Sequence, residues 1–423
     1  MRANLFAALI GMLCVAGCGG GGGFAGGGSG GGGTPTGGNV QAVTVDSGPT
    51  VIANSTTPAV NTIYTTVTIC SPGSTTNCQT IDHIQVDTAS SGLRIVAPQV
   101  LSITLPLQTD ANNNVLAECT QFVDGSSWGP IRQADVKIGG ETALKQEVQI
   151  IGDPAYPPQQ GICNGATEND VPHFGANGIL GVGPFIQDCG SGCTVQGHAV
   201  YFTCPTPTTC ADSGVPLNLQ VSNPVASFTT DNNGVIIQLP SVATSGSGPI
   251  SGSLIFGIGT QSNNALGSAK VLFVDTANGF FSTKYKLSSG LTQSFIDSGS
   301  NAYYFPDSSI NPCTTNVGFF CPPSVLALSG IMVSPINGTN VSVNFNVTSA
   351  DNLFKSGSPL IAAAPALAGD STQVGATSTG DGTSTFNGSN SFDWGMPFYY
   401  GRSVYTAIEG KNTSGGMGPY FAF

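Results

Sequence analysis

Charged residues are scarce in this sequence: 11 Lys and Arg and 23 Asp and Glu make up 8% of 423 residues. The few basic residues leave a formal net charge of −12, so no basic patch exists to neutralise phosphates, and nucleic acid is excluded as a partner. Histidine is also rare. None of His83, His173 and His198 lies in a recognisable nucleophile motif, so serine or cysteine catalysis has little support, and we interpret His83 as structural.

Long stretches with helical periodicity are missing too. Gly, with 59 residues, and Pro, with 27, separate short runs of Val, Ile, Thr and Phe, which is typical of an all-β protein. A chain of this length can bury two separate cores. We expect an N-terminal lobe over residues 39–229 and a C-terminal lobe over residues 230–423. Motifs for metalloproteases, P-loops and dinucleotide binding are missing as well, and we expect neither a metal nor another cofactor.

The N-terminus has the features of an export signal. Arg2 gives a short positive region, and residues 5–15 form an apolar segment of signal-peptide length. The sequence VAGC at residues 15–18 resembles the lipobox of bacterial lipoproteins, which implies that residues 1–17 are a signal peptide and that Cys18 carries the lipid, palmitate included. The alternative is an ordinary secretory signal with a chance Cys.

Residues 18–38 are almost pure Gly and cannot bury enough apolar surface to fold. We interpret them as a flexible tether with a coil dimension of roughly 25 Å. Several acyl chains on one residue anchor a protein stably, where a single chain is marginal. We therefore expect a monomer in the cell envelope, anchored by its lipid. Because Gly rather than Asp follows the Cys, known sorting patterns favour the outer membrane. Its periplasmic face and its surface face are both alternatives for the position of the protein.

Ten cysteines remain once Cys14 leaves with the signal and Cys18 is lipidated. An even number in an exported protein predicts disulfides. Close spacing favours four pairs and leaves a fifth, although other connectivities stay open. The five pairs are Cys70–Cys78, Cys189–Cys193, Cys204–Cys210, Cys313–Cys321 and Cys119–Cys163. A zinc site at Cys189, Cys193 and His198 is an alternative for one cluster.

Two short stretches, about half the chain apart, share one pattern: an apolar approach, then Asp, a hydroxyl residue, a very small residue and Ser. They are residues 84–91 (IQVDTASS), with Asp87, and residues 294–300 (SFIDSGS), with Asp297. A third stretch at Asp275 matches the first three positions. Because Asn-Gly follows shortly after it, we interpret this third stretch as a turn.

Two carboxylates about 3 Å apart cannot both ionise cheaply, so they share one proton. One then acts as a base on water and the other as an acid on a carbonyl oxygen, and the two titrate as a unit. The flanking residues can support such a pair. Thr88 and Ser298 can hydrogen-bond across to the opposite loop, and Ser90 and Ser300 can steady the outer carboxylate oxygens.

These motifs resemble those of the pepsin-like, two-lobed aspartic proteases. Five elements in family order carry the resemblance over roughly residues 60–423. They are residues 87–91 (DTASS), 178–181 (GILG), 254–257 (LIFG), 297–300 (DSGS) and the apolar element that ends at Gly395. The resemblance implies two β-barrel-like lobes with a cleft between them, catalytic Asp87 and Asp297, Gly181 beside Asp87, and Gly395 beside Asp297. We also suspect a family of bacterial predicted lipoproteins of unassigned function with this fold.

The resemblance further identifies residues 121–129 as a flap, the hairpin that covers the cleft, with Phe122, Gly125 and Ser126 in it. Three positions depart from the family pattern. Phe122 stands where the family has Tyr, and Arg94 stands where it has the Trp that this Tyr contacts. Ala89 stands where the family nearly always has Gly.

Two functional hypotheses follow. The first is a membrane-anchored aspartic endopeptidase that hydrolyses peptide bonds in peptide or protein substrates. The second is a catalytically weak or inactive relative that binds peptide, protein or glycan in its cleft, which the changes at Ala89, Arg94 and Phe122 favour. A surface or adhesive β-protein without a functional cleft is the remaining alternative.

Overall fold

The computed structural model describes residues 38–123, 125–159, 161–163, 167–286, 290–355, 360–373, 377–378 and 385–423. The expected signal peptide at residues 1–17, the lipidated Cys18 and all but the last residue of the tether lie outside the described residues, as does Asp124 of the flap. Within the described part of the chain, no helix combines the length and the apolar character that crossing a bilayer requires.

Short strands are the main regular secondary structure among the described residues, which confirms the all-β prediction. The ten strands before residue 229 are β1 (Val40–Val45), β2 (Ile63–Cys70), β3 (Cys78–Asp87), β4 (Ser91–Val96), β5 (Val115–Gln121), β6 (Ser126–Ile138), β7 (Glu141–Ile151), β8 (Gly178–Val182), β9 (Tyr201–Thr206) and β10 (Thr209–Asp212). The α-helices among the described residues are one turn each: α1 (Thr50–Ala53), α2 (Ala97–Val100), α3 (Val171–Phe174) and α4 (Ala350–Leu353).

The second half of the chain contains shorter strands. They are β11 (Gly234–Gln238), β12 (Ile250–Phe256), β13 (Val271–Phe273), β14 (Phe281–Lys284), β15 (Leu291–Ile296), β16 (Tyr303–Tyr304), β17 (Leu326–Val333), β18 (Asn340–Val347), β19 (Ala368–Gly369), β20 (Thr377–Ser378), β21 (Thr385–Phe386), β22 (Asp393–Trp394), β23 (Ser403–Ala407), β24 (Asn412–Thr413), β25 (Gly416–Met417) and β26 (Tyr420–Ala422). Strand β14 ends at Lys284, two residues before Lys286, whose φ of 55° strands do not adopt.

One sheet of 15 strands runs through both halves of the chain, in the order β10-β9-β5-β6-β7-β4-β8-β3-β2-β1-β12-β11-β23-β26-β13. β1 joins the halves, because it pairs antiparallel with β2 on one side and with β12 on the other. Residues 121–129, predicted to be the flap, lie at the turn of a hairpin, since β5 and β6 are antiparallel with Gln121 opposite Ser126.

A second sheet of seven strands belongs to the later half, in the order β18-β17-β14-β15-β22-β16-β19. Aromatic side chains fill the core against it. The Phe392 ring stacks 4.0 Å from Trp394 and 4.8 Å from Phe305, measured between centroids. Stacked rings of this kind add to the stabilisation that burial alone provides.

The two halves repeat one three-strand arrangement, and this repeat confirms the two-lobed architecture. In the first half β8 lies between β3, to which it is parallel, and β4, to which it is antiparallel. In the second half β22 lies between parallel β15 and antiparallel β16. Each Asp motif therefore lies at the end of a strand, β3 or β15, that pairs in parallel with a strand from later in the chain, β8 or β22.

The five predicted disulfides are all present. They are Cys70–Cys78, Cys119–Cys163, Cys189–Cys193, Cys204–Cys210 and Cys313–Cys321. The bond between Cys189 and Cys193 uses both thiols that the zinc alternative required.

Candidate active site

Asp87 is the last residue of β3, and glycine is needed beside it. Its partner across the parallel pair is Gly181 of β8, as the resemblance implied. A Cβ at Gly181 would lie 2.6 Å from the Ser91 backbone nitrogen, so any side chain there would push the Asp87 loop away from its supporting strand.

Asp297 follows β15 and has equivalent support. Its backbone N–H donates to the carbonyl oxygen of Trp394 in β22 at 3.2 Å. Gly395 comes next, and a Cβ there would lie 2.0 Å from the Ala302 carbonyl oxygen. Both glycines thus permit a close approach of backbones at equivalent places in the two halves.

Reciprocal hydrogen bonds hold the two Asp loops together. The Thr88 N–H donates to Ser298 Oγ at 3.1 Å, and the Ser298 N–H donates to Thr88 Oγ1 at 3.0 Å. Each hydroxyl also donates to a carbonyl of the opposite strand, Thr88 to Ile296 at 3.3 Å and Ser298 to Val86 at 2.8 Å. The predicted cross-loop contacts are therefore present, and all these groups are buried.

The Asp87 carboxyl accepts two local hydrogen bonds. Its Oδ1 accepts from the Ala89 N–H at 2.8 Å, and its Oδ2 accepts from Ser90 Oγ at 2.5 Å. Asp87 itself is fully buried, whereas Ala89 and Ser90 are half-buried at the cleft.

The Asp297 carboxyl repeats this pattern with Gly299 and Ser300. The Gly299 N–H donates to Asp297 Oδ1 at 2.6 Å, and Ser300 Oγ lies 2.9 Å from Asp297 Oδ2. A Cβ at Gly299 would lie 2.7 Å from Asp87 Oδ1 and 2.9 Å from Asp297 Oδ1. The two inner oxygens therefore face one point, and the carboxyls hydrogen-bond to each other.

The two carboxyls differ in proton affinity. Burial raises the pKa of Asp297 to about 8, and the negative charge of Asp87 acts in the same direction. Burial also raises the pKa of Asp87, whereas hydrogen bonds from Ser90, Ala89 and the Asp297 carboxyl favour its ionised form and lower this pKa. Of the two carboxyls, Asp297 therefore has the higher proton affinity, and the two titrate as a coupled pair.

A third acid lies behind Asp297. Asp393, in β22, is buried, and its Oδ2 is 2.5 Å from Ser300 Oγ. Burial raises the pKa of Asp393 well above its usual range, and the charge of Asp297 adds to this effect. The motifs did not point to it; the only signal in the sequence is one Asp within an otherwise apolar and aromatic run.

Two further buried side chains support the loops and were also missed. Gln85 Nε2 donates to the Gly299 carbonyl at 3.0 Å, which links β3 to the opposite loop. The Tyr399 hydroxyl lies 2.7 Å from Thr88 Oγ1. Their partners are distant in the chain, so no local pattern could have identified them.

The flap residues lie on the side of the cleft that the N-terminal half of the chain forms. The Phe122 N–H donates to the Gly125 carbonyl at 2.8 Å, and Ser126 Oγ donates to the Cys163 carbonyl at 3.0 Å. The Phe122 ring packs edge-on against Phe174 at 5.9 Å and also lines the cleft. The flap thus retains an aromatic contact surface without a hydroxyl.

Arg94 is fully buried in an ion-pair network. Its Nη2 lies 2.7 Å from Glu118 Oε1 and 2.7 Å from Asp188 Oδ2, and its Nε donates to Thr120 Oγ1 at 3.0 Å. Glu118 and Thr120 belong to β5, the first strand of the flap hairpin. The network therefore connects β4 to the flap at the position where the family resemblance implied a Trp–Tyr contact.

A cleft of about 440 Å³ opens beside Asp87. Residues from both halves line it, including Ala89, Ser90, Phe122, Asp188, Phe280 and Glu409. Polar groups and aromatic rings thus share its surface, which is typical of sites that bind an organic ligand.

Asp275 and His83, which we interpreted as a turn residue and a structural residue, have contacts outside the carboxyl pair. Asp275 Oδ1 accepts from the N–H groups of Ala277 at 2.8 Å and Asn278 at 3.2 Å, so it forms a turn as expected. His83 lies 3.6 Å from Asp46 and packs edge-on against Tyr64.

Comparisons with known proteins give a family and likenesses to solved structures. The family described as "Protein of unknown function (DUF3443)" matches residues 35–423. The comparison with curated proteins found no match. Among solved structures, the chain is similar to the crystal structure of an aspartic proteinase from Irpex lacteus, with a TM-score of 0.49 and 16% identity over 90% of this chain and 96% of that chain.

Proposed function

We propose that this chain, which belongs to the DUF3443 family of proteins of unknown function, is an aspartic endopeptidase that acts through Asp87 and Asp297. The observation that carries the proposal is the carboxyl pair itself. Two buried carboxyls from two equivalent loops direct their inner oxygens to one point beside a cleft and interact there, and each has a backbone donor on its inner oxygen and a Ser on its outer oxygen. This is the arrangement that makes two acids share one proton.

The proton distribution defines the chemistry. Water bound between the carboxyls loses a proton to Asp87 while its oxygen attacks the peptide carbonyl carbon, and Asp297 donates its proton to the carbonyl oxygen. The tetrahedral intermediate carries two hydroxyl groups. It collapses when the amide nitrogen takes the proton from Asp87 and one hydroxyl returns a proton to Asp297. The C–N bond breaks, and the resting pair is restored.

The raised pKa of Asp297, about 8, defines the pH range in which this chemistry can operate. The pair must hold one proton, so activity is lost when Asp297 ionises on the alkaline side and when Asp87 is protonated on the acid side. We therefore propose an enzyme that remains active at neutral pH and needs no cofactor.

The test uses the full-length protein, purified in detergent, with a reduced and unfolded protein as substrate from about pH 3 to pH 8. We expect cleavage that a statine-containing peptide inhibits, because its hydroxyl would take the place of the attacking water. Asp87→Asn and Asp297→Asn should each lower the rate about 10³-fold, whereas the turn variant Asp275→Asn should match the wild type. A folded protein that cleaves nothing in this range would refute the proposal.

A second candidate function, peptide or glycan binding without hydrolysis, is favoured by the cleft wall. Phe122 has no hydroxyl to order water under the flap, and Arg94 is committed to Glu118 and Asp188 instead of the flap aromatic. Titration calorimetry with peptides and oligosaccharides on Asp87→Asn would test this function. Ligand binding by this variant, together with an inactive wild type, would establish the second function over the first.

We propose in addition that Cys18 anchors a monomer to the outer membrane, where it would meet peptide or protein substrates. The support is the lipobox-like sequence at residues 15–18 and the Gly-rich segment after it. Metabolic labelling with an alkyne analogue of palmitate should label the wild type and not Cys18→Ser, and only the variant should leave the membrane fraction. Equal labelling of both would exclude this anchor.

A further inference from the structure

Asp393 takes no part in the proposed hydrolysis, yet it touches the group that supports Asp297. Ser300 Oγ lies 2.5 Å from Asp393 Oδ2 and 2.9 Å from Asp297 Oδ2. The first half of the chain has the same contact between Ser90 and Asp87 at 2.5 Å. Asp393 is therefore an addition to one half of the site.

The number of hydrogens available for the two contacts of Ser300 determines the protonation state of Asp393. A serine hydroxyl has one hydrogen, so Ser300 can donate to only one of the two carboxyls at a time. In the second of its two contacts, Ser300 Oγ must accept a hydrogen from the carboxyl. An O–H group on Asp393 Oδ2 supplies it and leaves the Ser300 hydrogen for Asp297.

Burial favours the same assignment. Asp393 is 5% exposed, and its Oδ1 has no hydrogen-bond partner among the residues that the structure describes. An unpaired buried oxygen is costly when the carboxyl is ionised and much less so when the carboxyl is neutral. Among the described residues, the ionisable groups that act on Asp393 are the carboxyls of Asp297 and Asp87, which repel a second negative charge, and Asp393 in turn acts on the phenol of Tyr399.

We propose that Asp393 is a positioning residue: a neutral carboxylic acid that donates its proton to Ser300 and thereby directs the Ser300 hydroxyl to Asp297 Oδ2. The order of donors is then Asp393 to Ser300 to Asp297. The outer oxygen of Asp297 receives a fixed hydrogen bond, while its inner oxygen stays free to hold and release the catalytic proton. The effect on catalysis rests on the proposed function, but the protonation state of Asp393 does not.

Infrared spectroscopy tests the protonation state without any assay of activity. The difference spectrum between wild type and Asp393→Asn, at neutral pH, should contain the C=O stretching band of a protonated carboxylic acid. The same comparison in an Asp297→Asn background removes any contribution from Asp297 and should show the same band. Carboxylate bands in its place would overturn the proposal.

Kinetics tests the positioning role through a conservative variant. The Asn side chain of Asp393→Asn retains an N–H that can donate to Ser300, so its kcat should stay within about threefold of the wild type. Asp393→Ala has no donor, and its kcat should fall about tenfold at unchanged KM, the loss expected for one hydrogen bond to Asp297 once that carboxyl has given up its proton and become charged. A loss of activity in Asp393→Asn as large as in Asp393→Ala would contradict the donor role.

A double variant separates positioning from general damage to the fold. Asp393→Ala should cost nothing further in a Ser300→Ala background, because it acts through that hydroxyl. An additional tenfold loss there would refute the relay through Ser300. If the wild type hydrolyses nothing, the proposed function fails, and the infrared spectrum alone decides whether Asp393 is neutral.

Discussion

The two halves of the carboxyl pair have the same geometry and different surroundings. Ala89 and Ser90 are half-buried at the cleft, and the buried charges of Arg94, Glu118 and Asp188 lie beyond them. Behind Asp297 every supporting residue is fully buried, and the neighbours are stacked aromatic rings and Asp393. Matched hydrogen bonds thus fix the positions of the two carboxyls, whereas their unequal surroundings determine which one has the higher proton affinity.

The largest expected effect comes from exchanging the small residues between the halves. Gly299→Ala places a Cβ within 3 Å of both inner oxygens, so the carboxyls must move apart, and the hydrolysis rate should fall about 10³-fold. Ala89→Gly, which makes the first half resemble the second, should change it less than about threefold. Rates with the same unfolded substrate compare the two variants. Equal losses would show that the inner oxygens do not meet at Gly299.

The second effect concerns the buried charges on the Asp87 side. Arg94→Met leaves Glu118 and Asp188 buried without their cation, which should lower the free energy of unfolding by about 3 kcal/mol or more. Lys286→Met is the matched control, because it breaks a half-exposed ion pair with Asp307 and should cost less than about 1 kcal/mol. Urea denaturation measures both values. A similar cost for both variants would mean that burial adds nothing to the Arg94 network.

The third effect is the pH dependence of stability that Asp297 causes. Its pKa is about 8 in the folded state and about 3.9 in an unfolded chain. The stability from the retained proton is therefore complete below about pH 4 and is lost as the pH rises towards 8. Between about pH 5 and pH 8, Asp297→Asn should lose less stability than the wild type, by about 3–4 kcal/mol, because each pH unit between the two pKa values changes the free energy of unfolding by about 1.4 kcal/mol.

Urea denaturation at both pH values gives this difference. Asp275→Asn serves as the control and should follow the wild type. Asp87→Asn removes the neighbouring charge, which lowers the pKa of Asp297 and should flatten the pH dependence in part. A wild type whose stability does not fall over this range would show that Asp297 is already ionised at its lower end.

The smallest expected effect concerns Thr88 and Ser298, the hydroxyl residues of the two loops. Thr88 has an additional contact, the Tyr399 hydroxyl at 2.7 Å, so Tyr399→Phe should lower the hydrolysis rate about threefold. Tyr400→Phe removes the neighbouring hydroxyl, which contacts Asn61 at 2.6 Å, and should leave the rate unchanged. Matching losses in the two variants would assign the effect to packing rather than to Thr88.

Much of the pair could be predicted because its support is local. Ala89 and Ser90 lie two and three residues after Asp87, as Gly299 and Ser300 do after Asp297, so the sequence spacing already specifies those hydrogen bonds. Strands β1 and β18 have local signals of the same kind, since β1 lies between turn residues and β18 alternates apolar with polar side chains. The roles of these residues in catalysis stay predictions, as do the lobe boundary at 229 and the lipid at Cys18.

The remaining features depend on contacts between distant segments. Arg94 could be recognised as a departure from the family pattern, but its acidic partners lie 24 and 94 positions away. Asp393 is 93 positions from Ser300, and a single acid in an apolar run is also what a surface turn would show. Only the fold decides whether such a residue is exposed or buried beside another carboxyl.

The positions of the disulfides determine how the chain can mature. Among the described residues, each of the five bonds joins cysteines no more than 44 positions apart, and none crosses residue 229. Short loops lose little entropy on closure, so neighbouring thiols meet more often than distant ones, and mispairing is disfavoured before any tertiary structure exists. Oxidation can therefore be completed within each half separately. Among the described residues, no disulfide links the two Asp loops, so hydrogen bonds and packing alone hold the carboxyl pair together.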